Sequence, residues 1–215
     1  MKQQSKTALV LGASGLVGSH LLSQLLEHPA YTRVVSLGRR NLDIQHPKLT
    51  QHIFDFDEPE PALMQGDDLF CALGTTLRKA GTKEVQYRID CQYPTEAGRM
   101  ALQNGVQQYL LVSSLGADAS SKNFYLKTKG DLEENIGNLQ FTHFVSARPS
   151  ILLGDRSEFR LGEKIGIWLA TALSPLIPKR YRGIHAGKVA RALIHYANNG
   201  TEGVEFVESE TLQSF

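Results

Sequence analysis

Short apolar or β-branched runs recur along the chain between longer stretches whose apolar residues fall at helical spacing. The runs lie at 8–11, 34–37, 52–54, 69–73, 109–112, 143–146 and 204–207, and predict seven strands. Between them, 16–27, 83–104, 122–135 and 188–198 each carry apolar spacing suited to a helix packed on a sheet. Most of the strand runs are continuously apolar, as burial on both faces requires, so the pattern predicts a doubly wound α/β fold around a parallel sheet. The rhythm breaks over 154–187, where Trp168, Pro175, Pro178 and Tyr181 gather. That segment is expected to form a small substrate cap within one domain spanning 1–215. Inside it, Ile165, Trp168, Leu169, Leu173 and Leu176 make a stripe that would wall an apolar pocket, meet a second subunit in a homodimer, or pack on its own domain.

Composition narrows the function. The chain has 215 residues, 41% hydrophobic and 21% charged, enough for one sizeable core. With 23 Lys and Arg against 22 Asp and Glu, the net charge of +1 provides no basic field for nucleic acid. Cys71 and Cys91 have neither disulfide-framework nor zinc-site spacing, and a reducing cytoplasm is expected. Residues 1–6 are polar, with no secretory apolar core behind them. The longest apolar stretch, 165–177, contains Gly166, Thr171, Ser174 and Pro175 and falls short of the roughly 20 residues a membrane span needs. The seven histidines form no recognisable ligand set, so no metal centre is expected. A capping or surface role is expected for His185, and a packed position for Cys71.

After the first run the chain reads Gly12-Ala13-Ser14-Gly15-Leu16-Val17-Gly18 and opens directly into a helical pattern. A tight turn at Gly12, close approach of a pyrophosphate at Gly15, and free N–H groups over Ser14, Leu16 and Val17 would make this a dinucleotide loop, with Gly18 allowing close packing. An NAD site places an acidic residue about 20 positions beyond the glycines. Here the second run ends in Leu37-Gly38-Arg39-Arg40. Two guanidinium groups there would pair with a 2′-phosphate, one of them also stacking on the adenine, which favours NADP(H). Asp55, after the third run, would meet the adenine amino group or cap a turn.

Tyr125 and Lys129 stand four positions apart in a helical pattern, on one face and one turn apart, whereas Lys127 points elsewhere. Ser113 and Ser114 end the fifth run at the carboxyl edge of the sheet, where ligands bind in this architecture. Tyr125 would exchange a proton with a small alcohol or carbonyl substrate, Lys129 would support it and bind the nicotinamide ribose, and Ser114 would hold the reacting oxygen. The same residues would serve a cofactor-retaining epimerase or isomerase. A non-catalytic NADPH-sensing protein is the third reading.

These residues resemble the atypical branch of the short-chain dehydrogenase/reductases, with Ser114, Tyr125 and Lys129 as its Ser, Tyr and Lys. The Tat-interacting oxidoreductase subfamily is more similar still, through Cys71-Ala72-Leu73-Gly74-Thr75-Thr76, Lys79-Ala80-Gly81, Ser113-Ser114-Leu115-Gly116-Ala117-Asp118, the block 125–130 and Arg148-Pro149. The resemblance implies a Rossmann domain with NADPH in an extended groove. It implies Ala72, Leu73, Gly74 and Thr75 beside the adenosine-side ribose and pyrophosphate, and Pro149 near the nicotinamide. It implies no particular substrate.

Overall fold

The computed structural model describes residues 5–154 and 178–215. Strands β1 (Lys6–Leu11), β2 (Tyr31–Gly38), β3 (Leu49–Ile53), β4 (Asp68–Cys71), β5 (Gln108–Val112), β6 (His143–Arg148) and, after a short pair described below, β9 (Gly203–Glu208) form one sheet. Its order is β3-β2-β1-β4-β5-β6-β9, and every pairing in it is parallel. The order reverses direction between β1 and β4, so the loops leaving these two strands part in opposite directions and open a crevice at the carboxyl edge.

The continuous apolar runs are explained by the two layers they serve. Ala8, Val10, Phe70, Leu110 and Val145 face helices α1 (Leu16–Glu27) and, late in the chain, α6 (Ala186–Asn199). Leu9, Leu11, Leu69, Cys71, Tyr109 and Leu111 face the opposite layer, where α4 (Tyr93–Gln103) contributes Ala97 and Met100 and α5 (Phe124–Gly137) contributes Leu132 and Ile136. Successive residues on one strand therefore enter different cores.

The structure alters several expected boundaries. The helix expected over 83–104 is a short α3 (Lys83–Tyr87), a π turn over Arg88–Gln92, and α4. Pro94 explains the break: it has no N–H for the carbonyl of Asp90 and its ring crowds that carbonyl. The turn widens, and Tyr93 N donates to Arg88 O instead. The run at 69–73 is a strand only to Cys71, which frees 72–75 as a loop leading into α2 (Leu77–Ala80). The third strand starts earlier than 52 and stops before Phe54.

Of the expected cap over 154–187, residues 155–177 lie outside the described residues, and with them the stripe from Ile165 to Leu176. Its flanks are fixed to the body. Strand β7 (Leu152–Leu153) pairs in parallel with β8 (Ile184–His185), and Ser150 Oγ donates to Arg182 O. His185 caps α6, its Nδ1 accepting from Gly187 N at 3.1 Å, as the capping reading expected. Helix α7 (Ser209–Leu212) follows β9.

Candidate cofactor and catalytic site

The glycine loop joins β1 to α1 on the crevice. Gly12 has φ +78°, and a Cβ there would lie 2.5 Å from Ala72 O, so this position needs glycine for both its conformation and the closeness of the two loops. A Cβ at Gly18 would meet Gly12 O at 2.0 Å, which is the tight helix packing expected of it. Ser14 and Gly15 are exposed, and Gly15 caps α1 without a side-chain acceptor or an acidic residue in the first turn. The Val17 side chain is in the core, leaving its backbone N–H toward the helix end. Leu16 abuts Gly154, the last residue before the undescribed segment. The helix N-terminus thus offers positive dipole and unneutralised donors beside the crevice.

Arg39 and Arg40 follow the end of β2 and are both exposed, and neither has a hydrogen-bond or ion-pair partner among the described residues. Asp55 closes a turn, its Oδ1 accepting from Asp57 N at 2.9 Å, the capping role that sequence left open. Ala72 N donates to Leu11 O at 2.9 Å, which ties the second loop to the end of β1. Leu73 and Thr75 are half-buried and Gly74 exposed.

Lys129 is 4% exposed, and its Nζ reaches Val112 O at 3.4 Å, the last residue of β5. The next residue, Ser113, is also buried, and its Oγ has no partner among the described residues. Ser114 is half-buried, with one 3.4 Å contact from its Oγ to Leu115 O. Tyr125 stands one turn above Lys129 and is 40% exposed. Asn123 holds the start of α5, accepting at Oδ1 from Tyr125 N at 3.0 Å and Leu126 N at 3.2 Å. Lys127 leaves the site: its Nζ donates to Ala119 O and Asp131. Pro149 is buried, its carbonyl accepting from Leu115 N at 2.9 Å and so setting the height of the Ser113–Ser114 corner.

Sequence reasoning missed Asp90. This residue sits in the π turn with no solvent exposure; its Oδ1 accepts from Thr75 N at 2.6 Å and its Oδ2 from Gln86 Nε2 at 3.4 Å. The available signal was Pro94, four positions on, which marks where the helix must open. A separate cavity of about 610 Å³ lies between α5 and β9 and includes neither Tyr125 nor the glycine loop. Two of its charged residues engage each other, Arg148 Nη2 meeting Glu133 Oε2 at 2.6 Å. Cys71 is buried, and burial pushes its thiol up, so it is a packed residue as expected.

The chain matches the family model for the NAD dependent epimerase/dehydratase family over residues 8–207. It is 34% identical to Protein HTATIP2 of Rattus norvegicus over 98% of this chain and 89% of that protein. It is 33% identical to Protein FMP52, mitochondrial, of Candida albicans over 92% of this chain and 90% of that protein. Among solved structures, MoeE5 in complex with UDP-glucuronic acid and NAD superposes with a TM-score of 0.73 at 20% identity, covering 94% of this chain and 76% of that one, which shows a shared fold. The FMP52 relatives are named as mitochondrial, which overturns the cytoplasmic expectation drawn from the cysteines. Two reduced, buried thiols fit any reducing compartment and do not single out the cytoplasm.

Proposed function

The chain belongs to the NAD dependent epimerase/dehydratase family, and on that premise we propose that it is an NADP(H)-dependent oxidoreductase acting on a small carbonyl or alcohol. The observation that carries this reading is the buried Lys129 amine at the end of β5, next to Ser113, whose Oγ has no partner among the described residues, and one turn from the exposed Tyr125. Buried donors with unused capacity are costly unless something else satisfies them. A ribose and a reacting oxygen are groups of the right kind, and the glycine cradle beside them fits a pyrophosphate.

The bound cofactor supplies the hydride. Ser114 donates a hydrogen bond to the substrate oxygen and fixes it near Tyr125. In the reducing direction Tyr125 gives that oxygen its phenolic proton, and in the oxidising direction it takes the proton back. Lys129 holds the nicotinamide ribose and lends positive charge to the tyrosine. Arg39 and Arg40, without partners among the described residues, pair with the 2′-phosphate and select NADP(H) over NAD(H).

The test is transfer of deuterium from NADPH labelled at C4, in each stereochemical form, to a panel of carbonyl compounds. Label in a reduced product from one form only supports the reading. Binding of NADPH with no label in any product overturns the reading and leaves the cofactor-retaining epimerase or the sensor, which are told apart by whether cofactor stays bound through interconversion of an epimeric substrate.

A further inference from the structure

Two neighbouring parallel strands need a connection that travels back the length of the sheet, and a helix is its usual form. Between β2 and β3 there is none: residues 39–48 make the return without helix or strand. The backbone groups of such a segment have to find partners outside it. The Gln51 side chain, in β3, supplies them. Its Oε1 accepts from Leu42 N at 2.8 Å, and its Nε2 donates to Leu42 O and to Ile44 O, each at 3.1 Å. Both amide protons are used, and only one orientation of the amide serves, because turning it over would set Oε1 against two carbonyls.

These bonds fasten the chain directly after Arg39 and Arg40. Directly before the pair, Gly38 O accepts from Phe54 N at 2.9 Å, just past the end of β3. The Leu42 side chain adds a third hold by packing on the core layer that contains α1. Residues 39–41 are therefore an exposed span pinned at both ends, and neither arginine side chain has a partner among the described residues to hold it otherwise. Gln51 itself is half-buried on an edge strand and belongs to neither core, so its replacement leaves the packing of both layers intact.

We propose that Gln51 is a positioning residue for cofactor choice: its amide stands in for the missing helix and presents Arg39 and Arg40 in one arrangement to the 2′-phosphate. On a loose span the two long side chains would have to be ordered at the moment of binding, and that cost would fall on NADPH alone. The inference rests on the NADP(H) reading given above, and its test separates the two.

The experiment measures affinity for NADPH and for NADH by titration calorimetry in native protein, Gln51→Met and Gln51→Asn, and again with Arg39→Ala and Arg40→Ala added to each. Methionine keeps the length of the side chain and loses all three bonds, whereas asparagine keeps the amide but is one carbon too short to reach. In both, NADPH affinity falls by roughly threefold to tenfold and NADH affinity stays within about twofold of native. Once the arginines are gone, neither substitution at 51 lowers NADPH affinity further, a dependence that a merely structural role would not show. Should one variant fail to fold, the other carries the test. Unchanged NADPH affinity, equal losses for the two cofactors, or a loss that persists without the arginines overturns the role of Gln51 and leaves the NADP(H) reading standing. Native protein that binds neither cofactor, or that binds NADPH no better than NADH, overturns that reading and this inference with it.

Discussion

At the amino edge of the sheet, Asp68 accepts from Tyr31 Oη at 2.6 Å, Lys6 Nζ at 2.8 Å and Gln108 Nε2 at 2.9 Å. Because the Gln108 amide nitrogen is spent on Asp68, its oxygen takes the Nδ1 proton of His143 at 2.8 Å. At the carboxyl edge, a strand length away, the buried Lys129 has one 3.4 Å bond and the buried Ser113 hydroxyl has none among the described residues. Both edges put polar groups out of water at the same cost per group, but only one edge meets that cost from within the protein. The exception at the amino edge is His143 Nε2, which has no partner among the described residues. In the tautomer set by Gln108 that atom is an acceptor, the less expensive kind of group to leave unpaired. The amino edge is therefore glue, and the carboxyl edge keeps the spare polar groups that the proposed cofactor and substrate would take up.

Substitutions that break this contrast should differ in what they damage. The largest effect belongs to Tyr125→Phe: hydride transfer falls by about 10²–10⁴-fold, while thermal stability stays near native because the hydroxyl lies at an exposed position. Steady-state rates beside a melting curve check both halves. Next comes Asp68→Ala, which leaves the half-buried Lys6 without its carboxylate and the buried Tyr31 hydroxyl without its acceptor, and costs about 3–5 kcal/mol of stability by denaturant unfolding, with NADPH affinity of the folded protein unchanged. Replacing Arg39 and Arg40 together by Ala lowers NADPH affinity by roughly 10- to 100-fold, leaves NADH affinity alone, and leaves the melting temperature alone.

The smallest effect is a pH dependence at the amino edge. Burial holds the His143 imidazole below its ordinary value of 6.5, although Glu205 and Asp68 act against that. The unfolded chain then binds its proton first as pH falls, so stability declines on acidification below 6.5 and recovers above it. His143→Gln flattens that part of the stability profile; an unaltered slope assigns the decline to other groups. His20, lowered by burial and by the nearby His185, contributes in the same direction.

What could be read from sequence follows the same physical division. The doubly wound sheet was legible because strands buried on both faces must be continuously apolar, and Leu9 and Val10 enter opposite cores as that pattern demands. Ser113, Ser114, Tyr125 and Lys129 were legible because their spacing is local to one strand end and one helix. Asp90 was not, since its meaning depends on its bond from Thr75 N, fifteen residues earlier, which the fold and not the chain brings near. The π turn escaped for a related reason: the periodicity over 83–104 is nearly continuous, and only the missing N–H of Pro94 opens it. The two-residue strands β7 and β8 are too short to leave a pattern.

The most direct test of the contrast between the edges is the thermal unfolding of Lys129→Met with and without NADPH, set beside native protein. An under-satisfied buried ammonium placed for a ligand contributes little to the empty fold, so the variant should melt at or above the native temperature and lose most of the stabilisation that NADPH gives the native protein. A variant that melts well below native when empty, yet gains as much from NADPH as native does, would make Lys129 part of the glue and contradict the account.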